Sequence, residues 1–164
     1  MTAYDASQWA DFSVAVLGGA AALVGLVFLA VSINLRQILS FPHLPGRAGQ
    51  TLVLFTMPLW IAILLLVPGQ SRPALSTELL IAAVVTSGFQ TWITRGSRSE
   101  QETPLTWLVG RIFPAIVTGG FLVLAAATLL AQAGGGLYWV VPSVLASFVF
   151  GLVNAWVLLV EIMR

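Results

Sequence analysis

Five apolar runs, at 12–34, 51–67, 75–93, 112–133 and 137–163, take up most of this 164-residue chain and leave no stretch long enough for a soluble domain. A helix needs about 20 apolar residues to cross the hydrocarbon core of a bilayer, and these runs approach or exceed that length. Charge agrees with them. Only 8% of residues are charged and 59% are apolar, whereas soluble domains carry about 25% charged residues. So few charges cannot cover the core that this much apolar surface would build, so the excess needs an apolar solvent. The expected fold is all-α: one polytopic transmembrane helix bundle over 1–164, with about five spans and the lipid bilayer as its surroundings.

Helix breakers punctuate the runs: Pro42, Pro45 and Gly46; Pro68, Gly69 and Pro73; Gly96 and Pro104; then Gly134, Gly135 and Gly136. The second run is short and contains Pro58. A proline frees the carbonyl one turn back, which a neighbouring helix must then satisfy. Four helices with a re-entrant second segment is the alternative count. Leu44-Pro45-Gly46-Arg47 has proline and glycine in type II turn order and predicts a tight reversal before the second helix.

Orientation follows from arginine. In a five-span chain Arg36, Arg47, Arg95, Arg98, Arg111 and Arg164 share one side and Arg72 stands alone on the other. Basic residues stay cytoplasmic, so the N-terminus is expected outside and the C-terminus in the cytoplasm. Trp9, Trp92, Trp107, Tyr138 and Trp139 fall near span ends and suit interfacial anchoring. The first eleven residues carry two acids and no base, unlike the start of a cleaved signal peptide, so the first run is expected to be retained.

Composition also removes function classes. A net charge of +1 is too small and dispersed for a nucleic-acid surface. With no cysteine and His43 as the single histidine, no thiolate or multi-histidine metal site is expected, and no cofactor. No nucleophile elbow, zinc-protease helix or phosphate loop is present, so no catalytic residue is assigned and the chain is not expected to be an enzyme.

Five residue groups stand out. Ala15, Gly18, Ala22, Gly25, Leu29 and Ser32 recur at steps of three and four, a helix-packing seam for close approach within the chain or to a copy of it. Ala115, Gly119, Leu122 and Ala126 repeat the pattern in the fourth run. In the fifth, Ser143, Ser147, Asn154 and Glu161 share one face as a polar stripe. Polar groups in lipid must face protein or water, so the stripe is either a candidate permeation path or a hydrogen-bonding clamp, with Glu161 paired to Arg111 or Arg164. Thr86, Ser87, Gln90 and Thr91 form an arc that could face it. Near the first connection, Asn34, Arg36, His43 and Arg47 could hold an anion or lipid headgroup, since arginine matches phosphate.

The run Gly25–Leu39 (GLVFLAVSINLRQIL) and the following PHLPGRAGQTL resemble a group of small bacterial polytopic membrane proteins. The resemblance covers the first two helices, implies a bacterial plasma (inner) membrane, and brings no activity with it. Two functions remain open on the sequence: a small homo-oligomeric channel or transporter, or an accessory or regulatory subunit packed against a larger membrane complex.

Overall fold

The computed structural model describes residues 2–95 and 108–162. Arg98, Trp107 and Arg164, used in the charge and aromatic arguments above, lie outside the described residues. The helices are α1 (Ala10–Ile33), α2 (Leu35–Ser40), α3 (Leu44–Leu66), α4 (Arg72–Arg95), α5 (Phe113–Ala131) and α6 (Val140–Ile162). Among the described residues there is no strand. Four helices, α1 with its leading turn, α3, α5 and α6, are long and apolar enough to cross a membrane, so this is a membrane protein. The five-run reading is therefore met in part. At 24 residues α4 matches α1 in length, but Glu78, Gln90 and a series of Ser and Thr hydroxyls make it less apolar than the other four.

The architecture is a ring of four helices with a fifth outside. α3 packs on α4, α4 on α5, α5 on α6, and α6 closes back on α3, while α1 lies against α3. Side-chain hydrogen bonds show the antiparallel pairing. Ser76 of α4 donates to the Ala126 carbonyl of α5 at 2.7 Å, and Ser87 to the Ala115 carbonyl at 3.2 Å, so the register runs in opposite senses on the two helices. The small residues of α5 make this approach close. Gly119 is buried, and a Cβ there would meet the Ser87 hydroxyl.

The start of α3 corrects the sequence reading. The helix begins at Leu44 and runs for 23 residues, so the second run is neither short nor preceded by a type II turn at Leu44-Pro45-Gly46-Arg47. Gly46 has none of the positive φ that such a turn demands, and Pro45 sits in the first helical turn. A first-turn N–H has no helical partner to lose, so proline there starts a helix as readily as it marks a turn. The tight reversal lies instead between α5 and α6. Gln132 and Gly134 to Gly136 all have left-handed backbone, and at Gly136 the Ala3 carbonyl and the Tyr4 ring occupy the place of a Cβ. Only glycine fits there.

The N-terminal segment is tied across this end of the bundle. The Trp9 indole N–H donates to the Thr2 carbonyl at 2.8 Å, and its ring meets Phe12 and Tyr138 edge-on. Trp9 is 8% exposed and belongs to the core, which corrects its assignment as an interfacial anchor, whereas Trp92 and Tyr138 do face outward. Arg72 Nε donates to the Tyr4 carbonyl at 3.1 Å. Hydrogen bonds from the Ser7 hydroxyl and backbone N–H hold the Asp5 carboxyl below its usual range.

The core has two chemically different halves. Met57, Ile61, Leu65, Leu75, Leu79, Leu122 and Leu129 fill the half near the N-terminal segment. Toward the other end the buried residues turn polar: Gln50 and Thr51 on α3, Gln90 and Thr94 on α4, Asn154 on α6.

Candidate functional site

The polar half is organised by α3 and α6. The four stripe residues of α6 lie on one face, as their spacing implies, and all four find partners inside the chain. Ser143 donates to the Thr118 carbonyl of α5 at 2.8 Å. Ser147 donates to the Leu54 carbonyl of α3. That carbonyl is the one Pro58 frees, because its helical partner would have been the N–H that proline lacks. The proline's defect and the serine that repairs it lie on different helices.

One heptad further along, Asn154 Nδ2 donates both to the Arg47 carbonyl at 3.1 Å and to Thr51 Oγ1 at 2.9 Å, while Thr51 Oγ1 itself donates to the Arg47 carbonyl at 2.9 Å. Another heptad on, Glu161 lies 3.6 Å from His43 Nε2 and 3.8 Å from Arg47 Nε. Among the described residues Glu161 thus pairs with Arg47, with His43 beside it, whereas the two partners expected from the sequence, Arg164 and the Arg111 side chain, lie outside them. Gly151, between these polar contacts, lets α6 press onto α3: a Cβ there would stand 2.6 Å from the Phe55 ring.

The proposed headgroup set therefore divides. His43 and Arg47 join the α6 stripe through Glu161. Asn34 instead turns back on its own helix, donating to the Ala30 carbonyl at 2.9 Å, and Arg36 is exposed on α2. The α4 arc divides as well. Thr86 donates to Ala82 of its own helix at 2.6 Å, and α4 packs mainly on α3 and α5, so Thr86 does not meet the stripe. Gln90 is fully buried, and among the described residues neither its Nε2 nor its Oε1 has a hydrogen-bond partner.

Two site residues were missed in the sequence, Gln50 and Thr51. Arg47, Gln50, Thr51 and Leu54 recur at helical spacing, a signal hidden by reading the chain up to residue 50 as a connection. Among the described residues no three potential metal ligands gather.

No family model, curated protein or solved structure matches the chain. Function therefore rests on the geometry of the bundle.

The amides Asn154 and Gln90 give opposite expectations. Asn154→Leu removes two interhelical bonds and should lower stability by roughly 0.6 to 1.7 kcal/mol, the average and the largest value for such contacts in a membrane bundle. Gln90→Leu removes a buried amide that pairs with none of the described residues and whose burial costs about 1–3 kcal/mol, so it should raise stability. Thermal midpoints of the purified variants in one detergent check both, and a destabilised Gln90→Leu would mean that the amide holds a partner such as an ordered water.

Proposed function

We propose that this chain is an accessory subunit of a larger assembly in the bacterial plasma membrane, docking sideways through the small-residue seam of α1. The observation that carries the reading is where the seam points. Ala15, Gly18, Ala22, Gly25, Leu29 and Ser32 are all exposed, and a Cβ added at Gly18 or Gly25 would meet nothing within 4 Å. In α1 only 11% of the apolar window is buried, against 50% in α3. Small residues let a second helix come close in a bilayer, where dispersion and not water expulsion drives association.

The polar stripe supports the same reading. Ser143, Ser147 and Asn154 bond to backbone or hydroxyl groups of α3 and α5, which accounts for their place inside the bundle without a water-filled path. In this reading α4 is the fifth span, its polar face turned to α3 and α5. The N-terminus lies outside, which puts Arg36, Arg47 and Glu161 at the cytoplasmic face, where basic residues belong.

A photocrosslinking residue in place of Ala22 tests this. The expected result is a crosslink to one different membrane protein, abolished by Gly18→Leu with Gly25→Leu while the chain still inserts and folds. Crosslinks confined to copies of this chain, or undiminished in the double variant, would reject the accessory reading.

A further inference from the structure

At the end of the bundle away from the polar half, the N-terminal segment, the α3–α4 connection and the last turn of α5 line a cavity of about 370 Å³. That is within the roughly 300–1,000 Å³ range of small-molecule sites. Its inner wall is apolar: Leu65, Leu75 and Leu129 line it, and all three are buried. Its polar side carries Asp5, Gln70 and Arg72, of which Asp5 and Arg72 are exposed. The mouth therefore opens between helix ends, where a ligand arrives from water and not from the lipid chains.

Each of the three polar residues keeps one side uncommitted. Gln70 Nε2 donates to the Glu78 carboxylate. A carboxylate only accepts, which fixes the orientation of the amide and leaves Oε1 buried with no donor among the described residues. Asp5 Oδ1 takes both Ser7 donors, the hydroxyl at 2.7 Å and the N–H at 3.1 Å, so Oδ2 is open to another. Arg72 uses Nε for the Tyr4 carbonyl at 3.1 Å, and its Nη groups donate to none of the described residues. That carbonyl immediately precedes Asp5, which brings the two opposite charges near each other, yet among the described residues no salt bridge joins them.

We infer that this cavity binds a small zwitterion of the α-amino-acid type, its ammonium at Asp5 Oδ2 and Gln70 Oε1, its carboxylate at the Arg72 Nη groups and its apolar side chain against Leu65, Leu75 and Leu129. The ligand class follows from the atoms left over. Two acceptors call for a donor, and guanidinium, which has donors only, calls for an acceptor. The charges of Asp5 and Arg72 cancel, so an ion of one sign gains from one of them and is repelled by the other, whereas a zwitterion satisfies both. A buried polar atom without a partner is costly, and the ligand's ammonium removes that cost at Gln70. The site stands apart from the α1 seam and does not depend on what covers it.

The test is equilibrium binding of tritiated leucine and phenylalanine to the full-length protein in lipid nanodiscs. Each is competed by two compounds that keep its side chain, the amine lacking the carboxylate and the acid lacking the ammonium. Expected is saturable binding of at least one amino acid, with its amine and its acid each competing at least about tenfold more weakly, the factor given by one lost charge-assisted hydrogen bond. Asp5→Asn keeps an acceptor for Ser7 at an exposed position, so the fold should persist while the preference for the amino acid over its acid disappears. Arg72→Gln should instead remove the preference over the amine. A merely structural role for either residue would not move one preference and spare the other. No saturable binding of either amino acid, competition by the amine or the acid equal to the amino acid's own, or both preferences unchanged in a folded Asp5→Asn would overturn the assignment.

Discussion

Gly119→Leu and Gly151→Leu are expected to prevent stable folding of the bundle, while Gly18→Leu and Gly25→Leu leave it intact. All four replace a transmembrane glycine with the same side chain, so the difference measures which way each glycine faces. Gly119 touches the Ser87 hydroxyl across the α4–α5 interface, and Gly151 lies against the Phe55 ring across the α3–α6 interface. Neither neighbour can yield freely. Ser87 is held by its bond to the Ala115 carbonyl, and Phe55 is fully buried with its ring 6.3 Å from that of Phe148. Forcing extra methylenes into a packed interface costs about 1–3 kcal/mol or more, and a Leu here must push a pair of helices apart along their length. The α1 glycines meet no atoms, so their replacement costs the fold little. Gel-filtration profiles and thermal midpoints of the four variants check this, and a loss of fold in Gly18→Leu would place the seam inside the molecule.

Ser147→Ala is expected to lower stability by about 1–2 kcal/mol, because it leaves the Leu54 carbonyl without a donor inside a bundle that excludes water. The test of cause is a double-mutant cycle with Pro58→Ala. Alanine at 58 restores the N–H that pairs with Leu54 along α3, so in that background the loss of the Ser147 hydroxyl should cost almost nothing. Two separate effects would add, whereas one shared carbonyl makes them strongly non-additive. Additivity within about 0.5 kcal/mol would mean that the serine does not serve the proline's carbonyl. The same logic explains how a buried proline is kept in the middle of α3: the repair is built into the neighbouring helix.

The helical fold was legible because membrane helices must satisfy their backbone internally, which makes each crossing a long apolar run bounded by breakers. The runs begin within three residues of their helices at α1, α4, α5 and α6. The start of α3 was lost because Leu44-Pro45-Gly46 carries the same residues whether proline opens a helix or a turn, and only the following packing of Gly46 and Ala48 decides between them. The α6 stripe was readable as a face from its spacing. Its partners were not, since Leu54 and Arg47 lie on another helix, with His43 at its N-cap, far away in sequence, and no local pattern encodes which helix stands opposite. The two small-residue seams show the limit most clearly. Ala115, Gly119, Leu122 and Ala126 are buried in the bundle, while the matching pattern at Ala15, Gly18, Ala22 and Gly25 is exposed. Spacing identifies a smooth face but not what meets it.

That difference carries the functional argument, so the most direct test asks what covers α1. Native mass spectrometry of the tagged protein, extracted from its own membrane in mild detergent, reads stoichiometry and co-extracted chains together. The account predicts this chain in fixed ratio with a different membrane protein, and its release as a folded free chain when Gly18 and Gly25 are both replaced by Leu. A closed ring of identical copies that survives the double replacement would contradict it.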